Sequence, residues 1–358
     1  MDRLASKKNL IDRIRSSEGS KFECDEDSIL ENFKRQEENQ SSIAIKILST
    51  LGGFIAALAF LGFLLLGEIY DSDFGLLISG IGFIILAIWL NIGFDKLIIE
   101  TFSASLYILG FSMIATGMVI GGSDKNDIIT VLSLIGLSAL ILTQNYLLSF
   151  ISVLITTVGL LLLIILNDLY DLIPLYIAVH TLLLTYLFLK EAKIISLGTK
   201  ISKLYNPVRI GVLVSLLIAL ISIGIEELVP LPQSHFWLTN IILIPVFMYL
   251  VVTIIKINNI KSIKSKISIY TLCTLILVST IVAPTILVAI IIILLSFLVN
   301  YKTGLVIGIL SIIYFVSQYY YNMNFTLLTK SILLFTSGIV FLLFYLFTTK
   351  KLTTNEKI

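Results

Sequence analysis

From about residue 47 onward the chain alternates long apolar runs with short polar breaks. A helix needs roughly 17–25 predominantly apolar residues to cross a hydrocarbon core of about 30 Å. Twelve segments meet or approach that length, at 47–66, 74–92, 102–120, 128–143, 146–166, 172–189, 210–225, 236–255, 267–283, 284–299, 305–317 and 325–348. Drawn as one helix, residues 128–166 would run about 58 Å at about 1.5 Å per residue, so Gln144-Asn145 is predicted to turn at a membrane face. Residues 267–299 would run about 50 Å by the same measure. Pro284 stands near their middle, where a missing N–H and a ring clash interrupt a helix. A turn at Ala283-Pro284 leaves two short spans, and a single bent span is the alternative.

Positive charge gives the threading an independent test. With an even number of spans and the N-terminus inside, 23 of the 25 Lys and Arg residues fall in inner segments. The exceptions are Lys125, in an outer loop, and Lys330, inside the last span. Such a bias in short loops orients multispan proteins. The expected fold is therefore an all-α polytopic transmembrane helical bundle of about 12 spans, with both termini cytoplasmic. Residues 1–42 form a cytosolic, partly helical head, 43–349 the transmembrane domain and 350–358 a cytosolic tail. The head carries Leu4, Ile11 and Ile14 on one helical face and Ile29, Leu30 and Phe33 on another. So few apolar positions cannot build a core, so it is expected to lie on the membrane surface or on a partner.

Composition removes whole classes of function. The chain has 358 residues, 57% hydrophobic and 13% charged, with a mean hydropathy of +1.02. Soluble domains carry about a quarter charged residues, so a soluble enzyme or a nucleic-acid binder is excluded, and a net charge of +2 adds no basic signature. Residues 1–42 hold eight Lys/Arg and ten Asp/Glu, which does not resemble a cleavable signal peptide. Cys24 and Cys273 make no disulfide framework. The outer loops hold Glu68, Asp71, Asp73, Asp124, Asp127, Asp168, Asp171, Glu226 and Glu227 against one lysine. Capping of helix starts, as by Asp73, Asp127 and Asp171, is the preferred account; a funnel for cations is the sharper one.

Thirteen of the 21 glycines fall between Gly52 and Gly136, and none between Gly224 and Gly304. The steps Gly52–Ala56, Gly53–Ala57 and Gly117–Gly121 let the first helices pack backbone to backbone, while the later spans use bulkier side chains. Tyr319, Tyr320, Tyr321, Trp237 and Trp89 fall at predicted interfaces, where aromatic side chains anchor helices.

Chemistry-bearing side chains are sparse. His180 falls near the bilayer centre in the sixth span, with Thr181 and Thr185 beside it. Titratable groups there are costly and are functional candidates; a neutral imidazole bonded to another helix explains His180 equally well. Lys330, five residues into the last span, is close enough to snorkel to the interface or to pair with an outer acid. Glu226 and Glu227 read first as a solvated helix end, and coupling-ion binding is the functional alternative. No zinc spacing, H-E-x-x-H, P-loop or G-x-S-x-G occurs. No catalytic residue, metal site or cofactor is expected, and the chain is read as no enzyme.

The run Tyr319-Tyr320-Tyr321, Phe325, Leu327-Leu328, Lys330-Ser331 and Gly338 resembles the closing motif of an uncharacterised bacterial membrane family, the domain of unknown function 4401. The resemblance runs from about residue 30 to 350, and Gly52-Gly53-Phe54 behind a charged head is similar too. Met323 departs from it, standing where the family carries Leu. The resemblance implies a multi-pass protein of the bacterial inner (cytoplasmic) membrane and no particular activity. It makes Tyr320, Tyr321, Leu327, Leu328, Lys330, Ser331 and Gly338 motif residues. Two readings follow: a transporter- or flippase-like protein for a small or amphipathic solute, or a non-transporting scaffold for another membrane protein. The partners expected are the lipid bilayer and, on the second reading, that membrane protein.

Overall fold

The computed structural model describes residues 72–93, 97–225, 228–230, 236–280 and 283–322, with isolated positions at 52, 55 and 59 and between 326 and 342. The charged head, the tail, Lys330, Leu327, Glu226 and Glu227 lie outside them, as do the first and last predicted spans apart from those positions. The described elements are helices, with no strand among the described residues: α1 (Asp73–Gly93), α2 (Leu97–Ile120), α3 (Lys125–Leu142), α4 (Tyr146–Leu166), α5 (Ile173–Leu189), α6 (Glu191–Ile195), α7 (Thr199–Ile223), α8 (Phe236–Ile257), α9 (Ile263–Thr280), α10 (Pro284–Leu298) and α11 (Lys302–Asn322). A 3₁₀ turn at Tyr170–Leu172 leads into α5. Apart from α6, these helices correspond in order to predicted spans two to eleven, with differing bounds. Eight are long and apolar enough to cross a membrane. Of the others, α10 has 15 residues, about 22 Å, and α9 carries Lys264 and Lys266 in its first turn. The chain is a helical membrane protein.

Both predicted breaks are present. Between α3 and α4, the Asn145 Oδ1 accepts from the N–H groups of Leu147 at 2.9 Å and Leu148 at 3.3 Å, which caps α4. Between α9 and α10, Ala283 leaves helical geometry at φ −130°, ψ 70° and Pro284 opens α10, a position where its missing N–H does no harm. Two helices thus replace the alternative of one bent helix. Four other turns share one device: Gly122, Asp168, Asn259 and Asn300 adopt left-handed φ of 74°, 55°, 49° and 54°. Each lets the next N–H reach back into the helix, as in Leu169 N to Ile164 O at 3.0 Å and Tyr301 N to Ser296 O at 2.8 Å. That geometry satisfies otherwise orphaned carbonyls.

One expectation needs correction. Helix α7 starts at Thr199, eleven residues before the predicted span, so most of residues 190–209, between the sixth and seventh predicted spans, is helical. Lysine is a good helix former, and hydropathy reports only the apolar part of a helix. Gly198, at φ 155°, separates α6 from α7, while Pro207 lies inside α7 and does not end it.

The chain divides into two compact units, residues 1–153 and 154–358. In the first, α1 and α2 are antiparallel and nearly touch. A Cβ placed on Gly80 would stand 2.8 Å from Gly110 O, and one on Gly110 would stand 2.7 Å from Gly80 O. Leu76, Leu109 and Met113 close the contact, with Phe83 against them. The glycines in closest backbone contact are Gly80 and Gly110, with the predicted Gly117 and Gly121 further along, facing Asp73. The start of α4 runs parallel to α2, because Asn145 Nδ2 donates to Glu100 Oε1 at 3.1 Å and Tyr107 Oη meets Ser152 Oγ at 2.7 Å. The α3–α4 turn therefore lies at the same end of the unit as the start of α2, as the threading requires. Asp73 is at the opposite end, where it bonds the Phe74 N–H and Ser72 Oγ caps the Gly75 N–H.

In the second unit α5 is central, packed on α7, α8 and α10, and α10 packs on α11. Buried positions make up 61% of the span containing α5, against 22% for α1. Helices α5 and α7 are antiparallel, since Tyr205 Oη donates to Leu187 O at 3.0 Å while Ser215 stands beside the Tyr176 hydroxyl.

Candidate functional site

The second unit turns its polar side chains inward. On α5 the buried face carries Tyr176, His180, Thr181 and Thr185. On α7 it carries Tyr205, Arg209, Ser215 and Ser222. Ser296 of α10 is completely buried. Thr181 and Thr185 donate to carbonyls four residues back, at 2.8 and 2.7 Å. In a membrane helix such back-bonding satisfies the hydroxyl without a second helix.

His180 is the eighth of the 17 residues of α5, at mid-helix as its place in the sequence implied. Its Nδ1 lies 2.9 Å from Tyr176 O, and its ring stacks on Tyr176 at 3.8 Å between centroids. That contact makes Nδ1 the protonated nitrogen and the ring a donor to its own helix. The Tyr176 hydroxyl in turn donates to Thr157 O of α4 at 3.0 Å.

The strongest site is one that hydropathy concealed. Arg209, counted among the basic residues of a cytosolic loop, is 5% exposed. Its guanidinium carbon stands 4.1 Å from the ring centroid of Tyr301, 5.0 Å from that of Tyr205 and 5.2 Å from that of Phe188. Phe188 and Tyr301 meet edge to face at 5.9 Å. Nη2 donates to Asn206 Oδ1 at 2.7 Å, and Nη1 reaches Tyr205 Oη at 3.3 Å and Glu191 Oε2 at 3.4 Å. A delocalised, weakly hydrated guanidinium suits such an aromatic cage better than an ammonium does.

Local sequence builds each wall. Tyr205 and Arg209 are four apart on α7 and share a face. Phe188 stands one residue before the end of α5, and α6 begins two residues after that end, with Glu191. Tyr301 is aimed by the left-handed Asn300 before it. The signal was present in the sequence: Arg209 is the one arginine beyond Arg35, in a chain whose other cations from there on are lysines. Lys190, Lys193, Lys200, Lys203 and Lys302 are exposed, so the arginine differs from them in both chemistry and burial.

Of the residues singled out from sequence, His180 lies in this unit's interior, away from any described cation or acid partner. Tyr320 and Tyr321 occupy the last turn of α11 with their rings edge to face, and Leu328 is exposed. Among the described residues no three His, Cys, Asp or Glu side chains converge as a metal site would need. A groove of about 720 Å³ runs along α9, lined by Ile267, Tyr270, Thr271, Thr274, Leu275 and Val278.

A family model described as Domain of unknown function (DUF4401) matches residues 43–351, beginning where the charged head ends. No curated protein and no solved structure matches the chain.

Proposed function

The chain belongs to the DUF4401 family, and from that premise we propose that it is a transporter-like protein moving a small or amphipathic solute across the bacterial inner membrane. The reading includes twelve spans and cytoplasmic termini, and no catalytic chemistry. The observation that carries it is the inward polar face of the second unit, from Tyr176 and His180 on α5 to Arg209 on α7. A histidine and an arginine are costly in a membrane protein and mark pathways more often than packing. A bundle needing only tight contact is served by glycine and serine, as α1 and α2 show. The Arg209–Glu191 pair closes this interior toward the lysine-rich helix ends, the side that the threading assigns to the cytoplasm.

A scaffold for another membrane protein is the second reading. It is favoured by His180, whose ring is held by its own helix. Thiol accessibility in intact cells separates the two, with Cys24 and Cys273 replaced and single cysteines placed at 125 and 180. Labelling at both positions by a membrane-impermeant reagent supports transport. Labelling at 125 alone supports the scaffold, and no labelling at 125 overturns the threading.

A further inference from the structure

Two buried polar atoms in the neighbourhood of Tyr301 have no hydrogen-bond partner among the described residues: Arg209 Nε and Ser296 Oγ. The Arg209 guanidinium lies over the Tyr301 ring, while Ser296 Oγ and Tyr301 Cδ1 each stand 2.5 Å from where a Cβ on Gly304 would be. A buried donor without an acceptor costs about 1–3 kcal/mol, more for a charged group. Arg209's one carboxylate contact among the described residues is long, 3.4 Å, and comes from Glu191, whose side chain is 32% exposed. Charge-assisted bonds of this type favour about 2.7–2.9 Å, so Glu191 neither saturates the arginine nor is sealed in with it. Exposed Lys190 and Lys193 flank Glu191, and exposed Lys302 follows Tyr301.

We infer that Arg209, with Ser296, forms a binding site for a phosphate-type oxyanion, and that the Glu191 carboxylate is a displaceable plug in it. An arriving oxyanion takes the guanidinium edge and the serine hydroxyl. Glu191 turns out toward Lys190 and Lys193, so the buried cation is never left without a counter-charge. The aromatic walls hold the guanidinium in place throughout. The lysines raise the local concentration of anions, as such clusters do at membrane surfaces. A lipid headgroup and free phosphate offer the same chemistry. The inference stands whether or not a solute crosses the membrane, because it concerns occupancy and not passage.

The test uses the purified full chain, with thermal unfolding followed against inorganic phosphate and, separately, in nanodiscs of phosphatidylglycerol or phosphatidylcholine. Phosphate or phosphatidylglycerol is expected to raise the unfolding midpoint of the wild type. Glu191→Gln is expected to bind about tenfold more tightly, and Arg209→Lys to lose the response. A response to phosphate identifies a soluble ligand, and one confined to phosphatidylglycerol identifies a headgroup. Ser296→Ala keeps the test open if Arg209→Lys does not fold; it is expected to retain the ligand-free midpoint and to need several-fold more probe. The inference is overturned if neither probe stabilises wild type or Glu191→Gln. It is also overturned if Glu191→Gln and Ser296→Ala both respond as wild type does.

Discussion

The two units solve the same problem, holding apolar helices together within a membrane, by opposite means. In the first, α1 and α2 approach until the backbones of Gly80 and Gly110 almost touch, and the polar links include Tyr107–Ser152 and Asn145–Glu100. In the second, the interior holds an arginine within an aromatic cage. Between lipid-soluble helices burial supplies little driving force, so dispersion contacts and interhelical hydrogen bonds must do the holding. Glycine maximises the first. A buried charge adds specificity and reactivity at a cost in stability, which is a poor exchange unless the charge is used.

That contrast can be broken experimentally, and the largest effect is expected at the cage. Arg209→Met leaves Glu191 and the caged hydroxyl of Tyr205 without their cation. Breaking a buried pair costs about 3–5 kcal/mol, and the part-exposed Glu191 sets the expected loss near the lower end. Chemical unfolding in detergent measures it. Next comes the glycine contact. Gly110→Val places two methyl groups against Gly80 O and Ile84, and overpacking of this kind costs about 1–3 kcal/mol. The loss should be confined to the first unit, as read by cross-linking yield between cysteines on α1 and α2. Tyr107→Phe removes a single interhelical hydrogen bond and should cost about 0.6 kcal/mol. The smallest change is expected at Gly82, two residues from Gly80, where an added Cβ meets nothing within 4 Å. Gly82→Ala should hold or slightly raise stability, since alanine gains up to about 1 kcal/mol over glycine in a helix. If it destabilised as Gly110→Val does, close packing through Gly80 and Gly110 would not be what joins α1 to α2.

The sequence pattern carried most of the architecture. Helix α4 occupies the predicted residues from Tyr146 to Leu166, and the turns at Gln144-Asn145 and Ala283-Pro284 are where a bilayer's thickness required them. Glycine's uneven distribution foretold which unit packs backbone to backbone, although Gly80 and Gly110 are thirty residues apart and no short motif links them. The cage was not legible for a related reason. Its members come from the end of α5, the start of α6, the middle of α7 and the α10–α11 turn, and hydropathy places a boundary at Arg209 itself. A positive residue at the edge of an apolar run looks like a loop residue until the helix is seen to begin eleven residues earlier. His180 was correctly placed at mid-helix; what could not be read was that its partners are Tyr176's carbonyl and ring, one turn away on the same helix.

The claim that the second unit is organised around a held charge is tested most directly by a double-mutant cycle between Arg209 and Glu191. Unfolding free energies are measured for the wild type, Arg209→Met, Glu191→Gln and the double variant. Coupled partners show interaction energies of about 0.5–3 kcal/mol, and the structure predicts coupling in that range, with the double variant less impaired than the sum of the single losses. Simple additivity would mean that the arginine and the glutamate do not sense one another, and the account of the second unit would fail.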